Sequence, residues 1–153
     1  MPSFDMLQNA IGHRFRDPRL LSRALTRRAY ALEEAQAGRA VEDQEVFRTL
    51  GDAVIRLALV DLLVAAGATG RGEISLRTSQ AEREGSLASI AEGIGLGPCL
   101  LLGKGEARQG AACVSSVLAE SLEALMGAVF LDAGYPVVRG TVLRLVYQKA
   151  HGL

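Results

Sequence analysis

Two long segments of this 153-residue chain place apolar residues three or four positions apart, and this spacing limits the possible folds more than any other feature. From about Asp43 to Ala66, the repeating residues are Val46, Phe47, Leu50, Val54, Leu57 and Ala58. From about Ser115 to Leu131, they are Val117, Leu118, Leu122, Leu125, Val129 and Phe130. A repeat near 3.6 residues is typical of an α-helix that buries one face, and no segment sustains the alternation of a β-strand. The sequence therefore predicts an all-α fold in which two long helices are central.

The remaining sequence predicts shorter helices joined by turns. Their starts or spans are Asp17-Pro18, residues 72–83, residues 84–92 and Pro136. The first is a clear helix start, because aspartate is a favoured N-cap and proline fits the first helical position. Gly67, Gly70 and Gly134 are predicted to end the two long helices. The polar residues 33–43 are predicted to form a loop.

Length and charge limit the class of protein. A chain of this length favours one domain, residues 1–153, with a core large enough to fold without disulfides. Seventeen basic residues balance seventeen acidic ones, which excludes a strongly basic protein that wraps nucleic acid. Cys99 and Cys113 lack the spacing of a metal site and are predicted to be reduced thiols. We therefore expect a folded cytoplasmic protein.

The sequence also gives no reason to expect contact with a membrane. Its most apolar segment, Ala53 to Ala66, contains Arg56 and Asp61 and is shorter than the roughly 20 apolar residues of a membrane helix. The N-terminal residues carry Asp5 and lack the basic start and apolar core of a secretion signal. No membrane partner is expected.

Four acidic residues lie inside the two otherwise apolar helices. Glu45 and Asp52 are two turns apart on one face of the first helix, and Glu120 and Glu123 are one turn apart on the second. A carboxylate in such a place is costly unless it is paired, hydrated or bound to a metal ion. If the helices pack together, the carboxylates converge, and such oxygen ligands suit Mg²⁺ and phosphodiester hydrolysis. The alternative is that these acids cap loops or pair with arginines.

Five segments, taken in order, resemble the ribonuclease III family over nearly the whole chain. They are IGHRFRDPRLLSRALTRRAYALE, LGDAVIRLALVDLL, GEISLRTSQAERE, LASIAEGIGLGPCLLLGKGE and SSVLAESLEALMGAVFLDAGY. The second is similar to the family's signature helix, and the last is similar to its second acidic helix. The resemblance implies a mostly helical, dimeric endonuclease domain that cuts double-stranded RNA with Mg²⁺ or Mn²⁺. Because the chain ends at Leu153, the separate double-strand-binding domain that many members append is not expected.

The resemblance also assigns roles to the acids. Asp52 matches the second acid of the signature helix, Glu123 matches the last acid of the family's set, and Glu45 matches a further acid of the motif. Glu120 stands where the family has aspartate, so its carboxylate reaches one methylene further, which matters because Mg²⁺ requires near-octahedral geometry. The implied catalytic residues are Asp52, Glu123, Glu120 and Glu45. The implied metal ligands are Asp52, Glu120 and Glu123.

Arg48 is the departure that bears most on mechanism, because it stands where the family has the first glutamate of the signature helix. A guanidinium has five donors and no acceptor, so it cannot bind a metal ion. At a distance of ~4 Å from a dication and an effective dielectric of 20, it is repelled by up to ~8 kcal/mol. Arg48 and Asp52 are one turn apart, which predicts an ion pair between them. In addition, Thr49 replaces the bulky aromatic residue that helps to lock the family's dimer.

Basic residues near the N-terminus are candidates for binding RNA. Four arginines recur at three- and four-residue steps, which places them on one face of a helix and would let them neutralise phosphates along a duplex. With one further arginine and a lysine from a loop that matches the family's loop near the acidic helix, the set is Arg16, Arg19, Arg23, Arg27, Arg28 and Lys104. The alternative is a solvated face that pairs with the acids of residues 33–45. His13 and His151 are predicted to be surface residues.

Two functions from different classes remain open. One is a module that holds structured or double-stranded RNA, a ribosomal particle or another protein, without catalysis and without a cofactor. The other is a Mg²⁺-dependent endoribonuclease that uses Asp52, Glu120 and Glu123. Arg48 favours the first of these. A homodimer is expected in both cases, and pairing with an active ribonuclease relative is a third possibility.

Overall fold

Two long helices organise the fold of this computed structural model, which describes residues 3–152. They are α4 (Glu45–Ala65) and α8 (Ser115–Ala133), and they share the most extensive contact of the molecule. The shorter helices are α1 (Phe4–Ile11), α2 (Pro18–Ala24), α3 (Arg28–Gln36), α5 (Arg71–Glu82), α6 (Glu84–Gly93), α7 (Lys104–Arg108), α9 (Tyr135–Val142) and α10 (Gln148–Ala150). A π-helical segment, Leu143–Tyr147, connects α9 to α10. No strand forms in the described residues, where one isolated bridge joins Thr26 and Leu101, and the predicted all-α fold is confirmed.

The core surrounds α8. This helix packs against α2, α4, α6 and α9, and its central residues Leu122, Leu125 and Met126 are fully buried. Burying an apolar side chain of this size contributes ~2 kcal/mol to folding, so α8 is the main apolar element of the molecule. Its two glutamates, Glu120 and Glu123, lie on the part of the helix that remains partly accessible.

Two glycines let α4 and α8 approach until their backbones touch. A Cβ atom at Gly51 would lie 1.6 Å from the carbonyl oxygen of Glu123, and one at Gly127 would lie 2.3 Å from the carbonyl oxygen of Phe47. Both distances are far below van der Waals contact, so no residue with a side chain fits at either position without moving a helix. Because Gly51 directly precedes Asp52, this contact sets how far the acids of α4 lie from those of α8.

The predicted boundaries of the long helices agree with the structure to within two residues. Asp17 caps α2 by accepting the backbone N–H of Arg19, as the sequence predicts. Gly67 and Gly134 follow the ends of α4 and α8 with φ values of 96° and 84°, which only glycine adopts readily. The second long helix continues two residues beyond its predicted end at Leu131, to Ala133.

The prediction of a loop over residues 33–43 is wrong in its first part. Helix α3 extends to Gln36, and the loop begins at Ala37. Among its residues only Ala31 is buried, and Leu32 is 54% exposed, so this helix lacks the apolar repeat on which the prediction depended. Helices α1 and α7 were likewise not predicted from the sequence.

The apolar repeat of α4 is divided between two faces. Phe47, Val54 and Ala58 are buried in the core, but Val46 and Leu57 are 63% and 56% exposed. Four residues at three- and four-residue steps form an outer row that runs along the exposed side of α4. The outer row consists of Ala53, Leu57, Val60 and Val64. An apolar row of this length on a solvent-facing helix is typical of a surface that another protein covers.

The prediction that His13 lies on the surface is wrong. Its side chain is 10% exposed, and its Nε2 lies 2.8 Å from Oδ2 of Asp132 at the end of α8. Asp132 also accepts the backbone N–H groups of Arg16 and Asp17. Burial opposes the charged form of Asp132, but these donors and His13 outweigh it and lower the pKa of the carboxyl group. The segment before α2 is therefore tied to the core helix.

The two cysteines differ in environment. Cys99 is buried, Cys113 is exposed, and both are free thiols. Burial raises the pKa of the Cys99 thiol, which favours its neutral form. Among the helices of residues 3–152, none combines the length and the apolar character needed to cross a membrane.

Candidate functional site

The four predicted acids meet where the first half of α4 crosses α8. Glu45, Asp52 and Glu123 line an open pocket of about 290 Å³, together with Arg48 and Thr49. Glu120 lies beside this pocket, in contact with Arg48. The acids of α4 are two turns apart and those of α8 are one turn apart, so a single crossing is enough to bring both pairs to one place.

Arg48 lies among these acids and pairs with three of them. Its Nη2 is 3.3 Å from Oε1 of Glu120, its Nε is 3.6 Å from Oε2 of Glu123, and its Nη1 is 3.8 Å from Oε2 of Glu45. The guanidinium therefore bridges α4 and α8. A side chain with donors only now occupies the space between carboxylates that would otherwise repel one another.

The predicted ion pair between Arg48 and Asp52 does not form. Oδ1 of Asp52 instead lies 3.9 Å from Nη2 of Arg56, one turn further along α4, and the Asp52 side chain is 52% exposed. Arg56 has a closer partner in Glu82 of α5, at 2.8 Å. Two half-buried carboxylates on α8 attract the Arg48 guanidinium more strongly than one well-hydrated carboxylate on its own helix.

A second arginine, Arg27, reaches the same cluster from the segment between α2 and α3. Its Nη1 donates to Oε2 of Glu120 at 2.8 Å, and its Nη2 lies 3.1 Å from Oε1 of Glu106. Burial disfavours the charged guanidinium, but Glu120 and Glu106 outweigh this effect and raise the pKa of Arg27. Glu120 is therefore held between two arginines.

Gln44 fixes the position of Arg27 from the interior of the protein. This fully buried amide accepts from Nη1 of Arg27 at 3.2 Å and from the hydroxyl of Ser121 at 3.2 Å. Its Nε2 donates to the carbonyl oxygen of Ala24 at 2.7 Å. A buried amide with partners on both its oxygen and its nitrogen holds its neighbours in one arrangement, so it positions Arg27 next to Glu120.

Glu123 is the acid whose protonation the site changes most. Burial raises the pKa of Glu123 from 4.5 to about 7, and the carboxylates of Asp52 and Glu120 act in the same direction. Arg48, at 3.6 Å, only partly offsets them. Near neutral pH, Glu123 is therefore divided between its charged and protonated forms.

The raised pKa of Glu123 should make the stability of the protein depend on pH. The folded state holds this proton more tightly than the unfolded state, so the contribution of Glu123 to stability is present below pH 4.5 and is lost as pH rises through 7. We expect Glu123→Gln to be less affected by this rise, gaining ~2 kcal/mol relative to the wild type between pH 5 and pH 8. Urea unfolding at both pH values measures the difference, and an equal pH dependence of the two proteins would contradict it.

In their present arrangement, the implied ligands do not fit a divalent metal ion. Glu120 and Glu123 are both engaged by Arg48, and Glu120 is engaged by Arg27 as well. Mg²⁺ requires oxygen ligands at ~2.1 Å in near-octahedral geometry, and a guanidinium in the centre of the carboxylates prevents this. In the part of the chain that the structure describes, no three acidic, histidine or cysteine side chains are arranged to hold a metal ion.

The predicted helical face of four arginines does not form, because α2 ends at Ala24. Arg16 precedes this helix and Arg27 follows it. Arg23 turns inward, where it donates to the carbonyl oxygen of Asp43, lies 3.2 Å from Glu42 and covers the Phe47 ring at 4.5 Å. The predicted RNA-binding residues that remain exposed are Arg16, Arg19, Arg28 and Lys104.

The sequence analysis did not identify Arg56 and Glu82 as neighbours of this site. Nε and Nη2 of Arg56 both donate to Oε1 of Glu82, and Glu82 contributes to the raised pKa of Glu123. Arg56 follows Asp52 by four residues, a helical spacing that could have indicated their contact. Glu82 belongs to a different helix, and no local sequence signal connects it to the site.

Comparisons of the sequence with known proteins give a consistent result. A family model described as Ribonuclease-III-like matches residues 17–150. Ribonuclease 3 of Nitratidesulfovibrio vulgaris is 41% identical over 143 residues, and that of Albidiferax ferrireducens is 40% identical over 140 residues. These matches cover 93% and 91% of this chain but 55% and 58% of the relatives. The chain therefore spans little more than half of their length.

Comparison with solved structures extends the likeness to the fold. A nuclease domain of ribonuclease III from Campylobacter jejuni, described for flexibility in a region involved in dimer formation, matches with a TM-score of 0.87. The sequence identity is 28%, and the match covers 99% of this chain and 100% of that one. A second structure of that domain matches with a TM-score of 0.83 at 29% identity, covering 97% of each chain.

Proposed function

The chain belongs to the ribonuclease III family of endoribonucleases, and we propose that it binds structured or double-stranded RNA with an impaired metal-dependent cleavage centre. Members of this family generally depend on a divalent metal ion for cleavage. The chain would therefore keep the fold that binds RNA, while its carboxylates would bind a metal ion only weakly.

The position of Arg48 is the observation that carries this proposal. Its guanidinium lies 3.3–3.8 Å from carboxylate oxygens of Glu45, Glu120 and Glu123. A metal ion at the same place would have to displace the guanidinium. Because Arg48 already neutralises these glutamates, they would also attract a metal ion less strongly. Glu120 would still be held by Arg27 at 2.8 Å. Both effects lower the affinity for a dication and, with it, the rate of cleavage.

Exposed basic residues support binding to RNA. Arg16, Arg28 and Lys104 are exposed, and among residues 3–152 the charged groups of their side chains form no ion pair with a carboxylate within 4 Å. Arg19 is 89% exposed and is paired with Asp17, and a surface pair of this kind is weak enough to open when a phosphate approaches. Contacts of this type bind the RNA backbone without reading sequence, and their strength falls as salt rises.

A homodimer is the second part of the proposal. The outer row of α4, defined above, is an apolar surface on the signature helix, and Leu57 and Val64 are each 56% exposed. The Campylobacter jejuni nuclease domain that this chain resembles has a region involved in dimer formation. Pairing of two copies along the outer row would bury this surface, and it would double the number of basic residues presented to one duplex.

A cleavage and binding assay on a long RNA duplex tests the proposed function. In Mg²⁺ or Mn²⁺, the wild-type protein should leave the duplex intact under conditions in which the Ribonuclease 3 of Nitratidesulfovibrio vulgaris degrades it. In EDTA, it should bind the same duplex with an affinity that falls steeply as salt rises. The same preparation should sediment at twice the chain mass of 16.2 kDa.

Each readout of this assay can contradict one part of the proposal. Robust cleavage by the wild type would establish the alternative function, a Mg²⁺-dependent endoribonuclease that uses Asp52, Glu120 and Glu123. Absence of any RNA binding would instead leave a protein partner, such as a ribosomal particle or an active ribonuclease relative. If the protein sediments as a monomer, the proposed homodimer is wrong.

A further inference from the structure

A basic cleft lies between α5, the start of α6 and the C-terminal helical segment, away from the pocket of Arg48. Two adjoining cavities of about 320 and 310 Å³ make up this cleft. They share Arg83, Ser86 and Ala150 among their lining residues, so they form one continuous surface. The charged and titratable residues that line it are all basic: Arg77, Arg83, Lys149 and His151. We infer that this cleft is an anion site, which binds phosphate groups of an RNA backbone.

Two cations of the cleft, Arg83 and Lys149, are not neutralised by a carboxylate of the described chain. Among residues 3–152, neither the guanidinium of Arg83 nor the ammonium group of Lys149 forms an ion pair within 4 Å. The two glutamates that flank Arg83 in sequence do not line either cavity, and Glu82 pairs with Arg56. Arg77 is the one cation of the cleft with a carboxylate partner in the described chain, Glu73 at 3.1 Å. In a protein with no net charge, such a local excess of cations attracts an external anion.

The neighbours of these cations suit a phosphate. Nζ of Lys149 donates to the hydroxyl of Ser89 at 2.9 Å, which holds the ammonium group at the rim of the cleft. His151 is fixed by its Nδ1 contact with the carbonyl oxygen of Tyr147 at 2.7 Å and by stacking on the Tyr147 ring. Guanidinium and ammonium groups with nearby hydroxyls are the donors that proteins use for phosphate.

The start of α6 adds to this positive surface. Arg83 occupies the N-cap position and provides no side-chain cap, and Gly85 in the first turn lines the cavity. The first N–H groups of a helix have no partner within it and point towards its positive end, where an anion is stabilised. This effect adds to the attraction of the side chains and does not depend on the pH of the solution.

The extent of the cleft favours a polyanion over a single free phosphate. Lys149 belongs to one cavity, Arg77 and His151 belong to the other, and Arg83 lies between them. Separate cations along one continuous surface match the repeated charges of a nucleic-acid backbone. The choice of RNA as the source of the phosphates rests on the proposed function, whereas the presence of an anion site does not.

Charge reversal with a matched control tests the site. The test protein carries Arg83→Glu and Lys149→Glu, and the control carries Arg71→Glu and Arg14→Glu, which change the net charge equally. Arg71 is exposed at the far end of α5, ~18 Å along the helix from Arg83, and Arg14 is 63% exposed near the N-terminus. Binding to a duplex RNA of 20 base pairs is followed by fluorescence anisotropy in EDTA over a series of salt concentrations.

We expect the test protein to bind this duplex at least tenfold more weakly than the control. The slope of log K against log salt should also fall by about 2, one for each phosphate that the protein no longer neutralises. The neutral pair Arg83→Gln and Lys149→Gln should show a smaller effect in the same direction, which keeps the test valid if the charge reversals disturb folding. Equal affinities of the test and control proteins would exclude RNA from the cleft.

Inorganic phosphate provides the second arm of the test. Its titration into the wild-type protein should shift the amide NMR signals of Gly85 and Ser86, and the charge reversals at Arg83 and Lys149 should abolish these shifts. Phosphate shifts without an effect on RNA binding would identify a site for a small free phosphate. If the wild type fails to bind RNA at all, the proposed function fails, but this titration still decides whether the anion site exists. Equal RNA affinities together with absent phosphate shifts would overturn the inference.

Discussion

Arg48→Glu should strongly increase the affinity of the carboxylate cluster for Mn²⁺. The substitution replaces a cation that lies 3.3–3.8 Å from three glutamates with a carboxylate that can itself bind a metal ion. For a dication at ~4 Å and an effective dielectric of 20, the change is from a repulsion of ~8 kcal/mol to a similar attraction. Because an arginine can move aside, this is an upper limit, and we expect the affinity for Mn²⁺ to rise by at least ~100-fold.

The same substitution should make stability depend on the metal. In EDTA, the variant places one more carboxylate beside Glu45, Glu120 and Glu123 without a counterion, so its melting temperature should fall below that of the wild type. With Mn²⁺ at ~100 times its Kd, metal binding adds ~2.7 kcal/mol to the free energy of unfolding of the variant. The variant should then melt at a higher temperature than the wild type. Calorimetric titration and thermal unfolding measure the two effects, and recovery of RNA cleavage is the functional readout.

Arg48→Met is the matched control for this experiment. Methionine is flexible and replaces the apolar stem of the arginine, but it removes the positive charge and adds no oxygen ligand. It should therefore bind Mn²⁺ less tightly than Arg48→Glu, and Asp52→Asn in the Arg48→Glu background should weaken the new site. If the wild type binds Mn²⁺ as tightly as the glutamate variant, Arg48 is not the residue that impairs the centre.

Gly51→Ala should destabilise the fold by ~3 kcal/mol or more. The added Cβ atom would lie 1.6 Å from the carbonyl oxygen of Glu123 and 2.5 Å from its carbonyl carbon, and both are backbone atoms of α8. A rotamer change cannot relieve this clash, so α4 and α8 must separate and pack less closely along their length. At ~3 °C for each kcal/mol in a chain of this size, the melting temperature should fall by ~10 °C.

Gly72→Ala provides the control for this prediction. Gly72 also belongs to a helix, in the first turn of α5, and a Cβ atom there would meet no atom within 4 Å. Since alanine favours the helix over glycine by up to ~1 kcal/mol, this variant should be as stable as the wild type or slightly more stable. Equal melting temperatures for the two alanine variants would show that the helices do not touch at Gly51.

The sequence predicts the parts of the fold that rest on local repetition. Helices α4 and α8 follow from their apolar spacing, and the start of α2 follows from Asp17 and its proline. Helix α3 was not predicted because it buries only Ala31 and leaves Leu32 54% exposed, so it carries no apolar repeat. His13 escapes because its partner, Asp132, lies at the other end of the chain.

The candidate site shows the same limit in its side chains. The family resemblance predicts that Glu45, Asp52, Glu120 and Glu123 lie together. It does not predict which of these acids form ion pairs with Arg48. Helical spacing favours Asp52, whereas the structure gives Arg48 to the glutamates of α8 because they are half-buried and close together. The spacing of residues along α4 cannot predict an ion pair between Arg48 and a glutamate on α8.

The backbone contact at Gly51 and Gly127 and the charged side chains of the site occupy different sides of the crossing between α4 and α8. The two glycines hold the crossing from its inner side, whereas Arg48 and the carboxylates extend from its outer rim. An exchange at the rim alters charge and leaves the path of the main chain untouched. The charge of the rim can therefore change without a change of architecture, whereas a side chain at either glycine would disturb the architecture itself.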